Sequence, residues 1–274
     1  MEEVLEIIMI AIAFLGTLAM FSCLRNAGRI NSEISRKLVH TFMGTVILSF
    51  PWLFKDLTSI IVLCVLITGI LFTTRYHSRL RSLFGIALYD IDRRSWGDIY
   101  FPISVTMVFW ISDNDPVLFG IPILLMTFAD SAAALTGKVQ SPQKKLLSNS
   151  KTNKGSVGFF VVGSLVTSIW LLFFSNLGAW HLILTAALLS MITMLVERIA
   201  TRGLDNLFVP LAASVLLPLY ISSVVSEILI QFLVIGACIG TGHAFRKFIS
   251  PKISCASILV IYVLWLIAGV LMTS

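Results

Sequence analysis

Ten apolar runs, at about 4–24, 38–54, 57–74, 99–112, 116–136, 156–175, 179–196, 207–222, 224–242 and 253–273, make up most of this chain. Nearly all of its charges lie between them. A helix needs roughly 20 mostly apolar residues to cross a bilayer. Lipid offers no partner for backbone polar groups, so such segments satisfy their hydrogen bonds internally, as helices. Of 274 residues, 57% are hydrophobic and 12% charged, with a mean hydropathy of +0.95. Soluble domains carry about 25% charged residues. The expected fold class is therefore all-α: a polytopic integral membrane helical bundle of about ten transmembrane helices, forming one domain over residues 1–274. The runs at 99–112 and 207–222 are short and carry Pro102, Pro210 and Pro218, where kinks are expected. The Met-Glu-Glu start lacks the basic residues of a cleavable signal, and the first run is long enough to remain as a helix.

Threaded alternately, the ten runs place loops 25–37, 75–98, 137–155, 197–206 and 243–252 on one side. Those loops carry 19 of the 20 Lys and Arg residues, Lys55 being the exception. By the positive-inside rule that side is cytoplasmic and both termini face away. The net charge of +6 thus reports topology rather than nucleic-acid binding. Cys23, Cys64, Cys238 and Cys255 form no C-x-x-C pair and read as small hydrophobes.

The same side gathers unusual acids: Asp90, Asp92, Asp98, Asp130, Glu197 and Asp205. Ionisable groups at membrane depth are costly and mark functional sites. Asp130, in the last turns of an apolar run, shares a helical face with Ala133 or Ala134 and with Gly137. The stretch from Phe128 to Phe160 continues through a basic loop with Lys138, Lys144, Lys145, Lys151 and Lys154. Lys151-Thr152 followed by Gly155-Ser156 at a helix start suits phosphate, because helix N-termini present free N–H groups. No Walker A or G-x-G-x-x-G sequence is present. Arg36, Lys37 and His40 fall within one helical turn and could grip phosphate. Glu197, Asp205 and Asn206 add oxygen donors at the level of Asp130, the kind Mg²⁺ uses together with nucleotide phosphates. Bland readings stand beside these: topology anchors, a helix cap at Asp205 or Asn206, and interface aromatics at Trp96 and Tyr100.

Five short motifs follow in order: R-K-x-x-H (Arg36, Lys37, His40), G-D-I-Y-F-P (Gly97 to Pro102), D-x-x-A-x-x-x-G-K (Asp130, Ala133, Gly137, Lys138), K-T-x-x-G-S (Lys151, Thr152, Gly155, Ser156) and E-x7-D-N-x3-P (Glu197, Asp205, Asn206, Pro210). Over roughly residues 33–210 the chain resembles the CTP-dependent lipid-alcohol kinases, comprising phytol kinase, dolichol kinase and the yeast-type diacylglycerol kinase. These are distantly similar to phosphatidate cytidylyltransferases. Val139-Gln140 stands where that family usually has an aromatic residue and glycine, and Lys154 where it often has Glu.

The resemblance implies CTP as phosphoryl donor, a divalent cation such as Mg²⁺, and a membrane-dissolved alcohol such as phytol, farnesol or dolichol as acceptor. The expected phosphate contacts are Arg36, Lys37, His40, Gly137, Lys138, Lys151, Gly155 and Ser156. The expected metal ligands are Asp130, Glu197, Asp205 and Asn206. Arg36, Lys37 and Asp130 are expected at the chemistry, with Asp130 or Asp98 taking the hydroxyl proton. The expected setting is an integral membrane enzyme, most simply of a bacterial plasma membrane, with its site on the cytoplasmic side. Cytidylyl transfer to a lipid phosphate would use the same groups and release pyrophosphate instead of CDP. A transporter would place its acids near mid-bilayer and show inverted repeats.

Overall fold

A computed structural model of the protein describes residues 2–89, 95–138, 151–244 and 250–273. All regular structure among these residues is helical, without strands. The principal helices are α1 (Glu2–Asn26), α2 (Ser32–Ile47), α3 (Leu57–Tyr76), α4 (Gly97–Ser112), α5 (Pro116–Leu124), α6 (Asp130–Lys138), α7 (Asn153–Phe174), α8 (Ala179–Ile199), α9 (Asp205–Ser222), α10 (Val225–Ala244) and α11 (Pro251–Thr273). Among the described residues six stretches are long and apolar enough to span a membrane: Glu3–Asn26, Leu57–Tyr76, Pro116–Gly137, Asn153–Phe174, Ala179–Ile199 and Asp205–Ser222. The expected ten is therefore not reached on length and composition. Gly97–Ser112, Val225–Thr241 and Pro251–Ile267 are shorter apolar helices. The 38–54 run is divided between α2 and a four-residue helix, Phe50–Leu53, with Pro51 in its first turn.

The central rod is Pro116–Gly137. Asp115 starts it, its carboxylate accepting from Val117 N at 2.7 Å and Leu118 N at 2.9 Å, with Pro116 in the first turn. Asp113 and Asn114 take left-handed conformations in the turn before it. The rod passes from α5 into α6 through one π-helical turn, Leu125–Ala129. There the Asp130 N–H donates to the Leu125 carbonyl, five residues back.

The rod is apolar all round because it is buried on both faces. Val117, Ile121, Leu125, Ala129 and Ala133 join a core with α7, α8, α9 and the last two helices. Phe119, Ile123 and Met126 join a second core with α1–α4. Asp130, which belongs to this same rod, is thereby held where the two halves of the molecule meet.

Polar contacts divide between two ends, consistent with alternate threading. At one end the Lys55 N–H donates to a Glu3 carboxylate oxygen and the Asn114 amide to the Lys55 carbonyl. Trp52, Trp170 and Phe174 cluster there. At the other end Arg75 meets Asp98, and Lys151 meets Glu197 and Asp205. Pro102, Pro122, Pro210 and Pro218 all lie inside helices that run past them.

Candidate functional site

Five chain segments deliver charge to one cleft of about 1100 Å³ at the second of these ends. Lys37 sits in the second turn of α2, Asp130 just after the π turn, Lys151 before α7, Glu197 in the last turn of α8 and Asp205 at the start of α9. Asp130, Lys37 and Glu197 are each 5–6% exposed, so none is a solvated surface charge.

Each buried acid has a cation partner. Lys37 forms an ion pair with Asp130 across 93 residues of sequence, and its ammonium also lies 3.4 Å from the Asp130 carbonyl. Lys151 bridges Glu197 Oε1 at 2.7 Å and Asp205 Oδ2 at 2.9 Å, and donates to the Glu197 carbonyl at 2.5 Å. Burial opposes the charge on Lys151. The Asp205 and Glu197 carboxylates outweigh it, so the ammonium pKa lies above the ordinary lysine value. One carboxylate oxygen from each of Asp130, Glu197 and Asp205 lies within 4.8 Å of the other two. Three hard oxygen donors this close, two of them buried, fit a divalent cation such as Mg²⁺. Lys37 and Lys151 supply positive charge to the same oxygens.

The π turn has a geometric role. After it, Asp130, Ala133, Ala134 and Gly137 all line the cleft, on one face of α6. Across from them, Thr152 caps α7, its hydroxyl accepting from Gly155 N at 3.1 Å. Ser156 Oγ accepts from Arg198 Nη1 at 2.8 Å, and Arg198 Nη2 reaches Asn153 at 2.6 Å. Gly155 lets the two helices touch: a Cβ there would stand 2.8 Å from the Ala133 carbonyl oxygen. A Cβ on Gly137 would stand 2.9 Å from Thr152 Oγ1. Both glycines line the cleft, and helix packing already accounts for each. The cleft's other wall is the turn Thr201–Leu204. There Gly203 adopts φ +89 and packs on Gly97, so closely that a Cβ would meet Gly97 Cα at 2.5 Å.

Other expected residues stand elsewhere. His40 is not among the groups lining this cleft. Its Nε2 hydrogen-bonds the Met126 carbonyl in the π turn at 3.1 Å, and its ring packs on Phe101. His40 thus lines the neighbouring cavity and braces the turn that presents Asp130. Asn206 lines the cleft, but its amide Nδ2 donates to the Gly97 carbonyl at 2.8 Å and ties α9 to α4. Asp98 is apart from the three clustered acids. It lines a neighbouring pocket, ion-paired to Arg75 at 3.4 Å and accepting from the Tyr89 hydroxyl at 2.8 Å. Burial, and then the Asp98 charge, push the Tyr89 phenol well above its ordinary pKa, so it stays a donor. Arg36 lines both cavities and pairs with Glu33 at 2.8 Å. Its Nε has no partner among the described residues. The side chain of Lys138, and Asp90, Asp92, Lys144 and Lys145 altogether, lie outside the described residues.

Sequence reasoning passed over Glu33, Arg75 and Tyr89. Glu33 stands three residues before Arg36 on the same helix, a spacing that forecasts their pairing. Arg75 closes a long apolar run and reads as a topology anchor. Its contacts to Asp98, the Ser95 carbonyl and the Trp96 ring are tertiary, with no local signature.

Four curated proteins match the chain, each named a phytol kinase or a probable one. The probable phytol kinase 2, chloroplastic, of Glycine max is 25% identical over 206 residues, covering 71% of this chain and 68% of that protein. The phytol kinase of a Synechocystis strain is 25% identical over 212 residues, covering 76% and 88%. The probable chloroplastic phytol kinase of Zea mays is 24% identical over 217 residues, covering 71% and 69%. These names are consistent with a CTP-dependent lipid-alcohol kinase family. No family model matches the chain, and no solved structure matches it.

Proposed function

We propose that this protein is a membrane kinase that transfers the terminal phosphate of CTP, or of another nucleoside triphosphate, to a long-chain isoprenoid alcohol. The observation that carries this reading is the convergence of Lys37, Asp130, Lys151, Glu197 and Asp205 on one cleft large enough for a nucleotide. Phosphoryl transfer proceeds through a loose transition state with charge spread over the phosphoryl oxygens. Catalysis is therefore mostly positioning and charge stabilisation, which preformed cations in the cleft supply.

Asp130, Glu197 and Asp205 would hold a divalent cation, which would supply positive charge to offset the negative charge of the phosphate oxygens. Lys37 and Lys151 now rest on those carboxylates and can turn toward phosphate instead. Arg36 offers a planar, two-pronged contact from the wall. The alcohol oxygen forms a bond to the terminal phosphorus. The bond from that phosphorus to its bridging oxygen breaks, CDP leaves with the electron pair, and the hydroxyl proton passes to a carboxylate. Asp130 on the cleft side and Asp98 on the neighbouring side are the two candidates for that carboxylate. On the orientation argued from charge, the cleft faces the cytoplasm, where nucleotide is available.

The test is purified protein in lipid nanodiscs with Mg²⁺, labelled CTP and a panel of phytol, farnesol, dolichol and diacylglycerol. A phosphorylated lipid with stoichiometric CDP is expected. Pyrophosphate in place of CDP would make the enzyme a cytidylyltransferase. No lipid product with any alcohol or nucleotide overturns the reading.

A further inference from the structure

Beside the cleft runs a second cavity, of about 290 Å³, between α1, α2, α3 and α4. Its walls are apolar for most of their length: Phe14, Val39, Met43, Leu63, Ile67 and Val105. Its charged groups gather at one mouth, where Arg36, Ser95, Asp98 and Asn206 appear, with His40 and Thr106 the polar side chains further along the wall. Glu33, Arg36, Ser95 and Asn206 line the larger charged cleft as well, so the two cavities share a wall. The opposite end is stopped by Ile47, Ile60 and Phe50. Phe50 is 3% exposed and backed edge-on by Phe54 and, stacked, by Phe119, both fully buried. A cavity with one charged mouth, an apolar shaft and an aromatic floor fits an amphiphile with a single small polar head.

Its depth can be read from α2. Ile47 lies eleven residues beyond Arg36, about 16 Å at 1.5 Å per residue. Phe50 stands roughly one further turn along, so the shaft is about 20 Å deep. An extended chain advances ~1.2 Å per bond, so an isoprene unit of four main-chain carbons takes about 5 Å. Three to four units fill the shaft, with the hydroxyl beside Asp98 and Arg36.

We infer that this pocket holds the acceptor's isoprenoid tail and that Phe50 is the stop limiting it to about four units. The inference rests on the kinase reading for the identity of the occupant, while the pocket and its floor are independent of it. Shortening the shaft and lowering its floor then shift chain-length preference in opposite directions. One methylene denied its place in an apolar site is worth roughly 10–200-fold in specificity.

The test compares kcat/KM for alcohols of two, three, four and eight or more isoprene units in nanodiscs. Cys64 is only half buried and lines the shaft, so Cys64→Phe obstructs it with little risk to folding. That variant is expected to lose at least about tenfold on the four-unit alcohol while retaining the two-unit one. Phe50→Ala is expected to raise the longest alcohol relative to the four-unit one, a ratio that survives a partial loss of folded protein. A second readout needs no turnover: a four-unit alcohol with a terminal diazirine should photolabel peptides containing Ile47, Phe50 or Ile60. Unchanged chain-length ratios in both variants, in an enzyme that does phosphorylate alcohols, overturn the inference and leave the kinase reading intact. If no alcohol is phosphorylated, the kinase reading fails and labelling decides alone. Label confined to lipid-facing residues such as Val65 and Leu66 then overturns the pocket.

Discussion

Asp130 and Lys37 depend on each other. Removing one member of a buried pair leaves an uncompensated charge, at a cost of about 3–5 kcal/mol. Asp130→Ala is therefore expected to lower thermal stability as well as turnover. It does not isolate chemistry from folding, as a surface acid would. Asp130→Asn is expected to cost at least a hundredfold in kcat, the scale of one electrostatic contact in a water-excluded site. The double variant Lys37→Met, Asp130→Leu separates the two effects. Melting in detergent should recover toward the parent, because apolar replacements of a buried pair are often neutral, while activity stays absent. Recovery of activity in the double variant would remove both residues from the mechanism. Asp130 is legible in sequence, because a charge inside an apolar run has few innocent explanations, and Lys37 through its place beside Arg36 and His40. Their pairing is not, since 93 residues separate them and no local period links them. His40 shows the converse: its spacing from Arg36 and Lys37 suggests phosphate, yet its ring reaches a π-turn carbonyl that sequence does not announce.

At the scale of elements, the π turn and the α6–α7 crossing aim the site. Leu125–Ala129 contains one residue more than an α-helix would need, and everything after it is rotated accordingly. Deleting Phe128 restores a regular helix and turns Asp130 by about 100° away from Lys37. Circular dichroism should keep its helical signal while activity disappears. Gly155→Leu drives a side chain into the Ala133 carbonyl and forces α7 outward, an overpacking cost of about 1–3 kcal/mol. Because Lys151 and Thr152 lead directly into α7, KM for nucleotide should rise in that variant. Sequence reading located the helices because apolar length is a local signal. It read the small-residue face at Gly137 as open to a ligand or to another helix, and Gly155 as allowing close approach of phosphate; in the structure a second helix packs against both, and both line the cleft. It also expected about ten spans. Ser49 and Pro51 divide one run, and α4 is only 16 residues long.

For the whole molecule, one rod through two cores fixes which loops lie together. The orientation can be tested in inverted and right-side-out vesicles, with the four native cysteines replaced. Lys55→Cys and Lys154→Cys are exposed positions at opposite ends. An impermeant maleimide should reach Lys154→Cys only from the cytoplasmic face and Lys55→Cys only from the other. Labelling of both from one side would undo the threading and the sidedness derived from it. The charge asymmetry made this arrangement readable, since 19 of 20 basic residues segregate under one alternation. The apolar shaft was not readable, because pocket-facing and lipid-facing residues of α3 have the same composition.

The wall common to the two cavities has a kinetic consequence. On the kinase and tail-pocket proposals, one reactant would arrive from water and the other from within the bilayer, and neither would need to leave its own phase to meet the other at Arg36. The acceptor concentration that governs the rate is then its mole fraction in the membrane. Adding inert phospholipid at a fixed total amount of alcohol should slow turnover, although nothing in the aqueous compartment has changed.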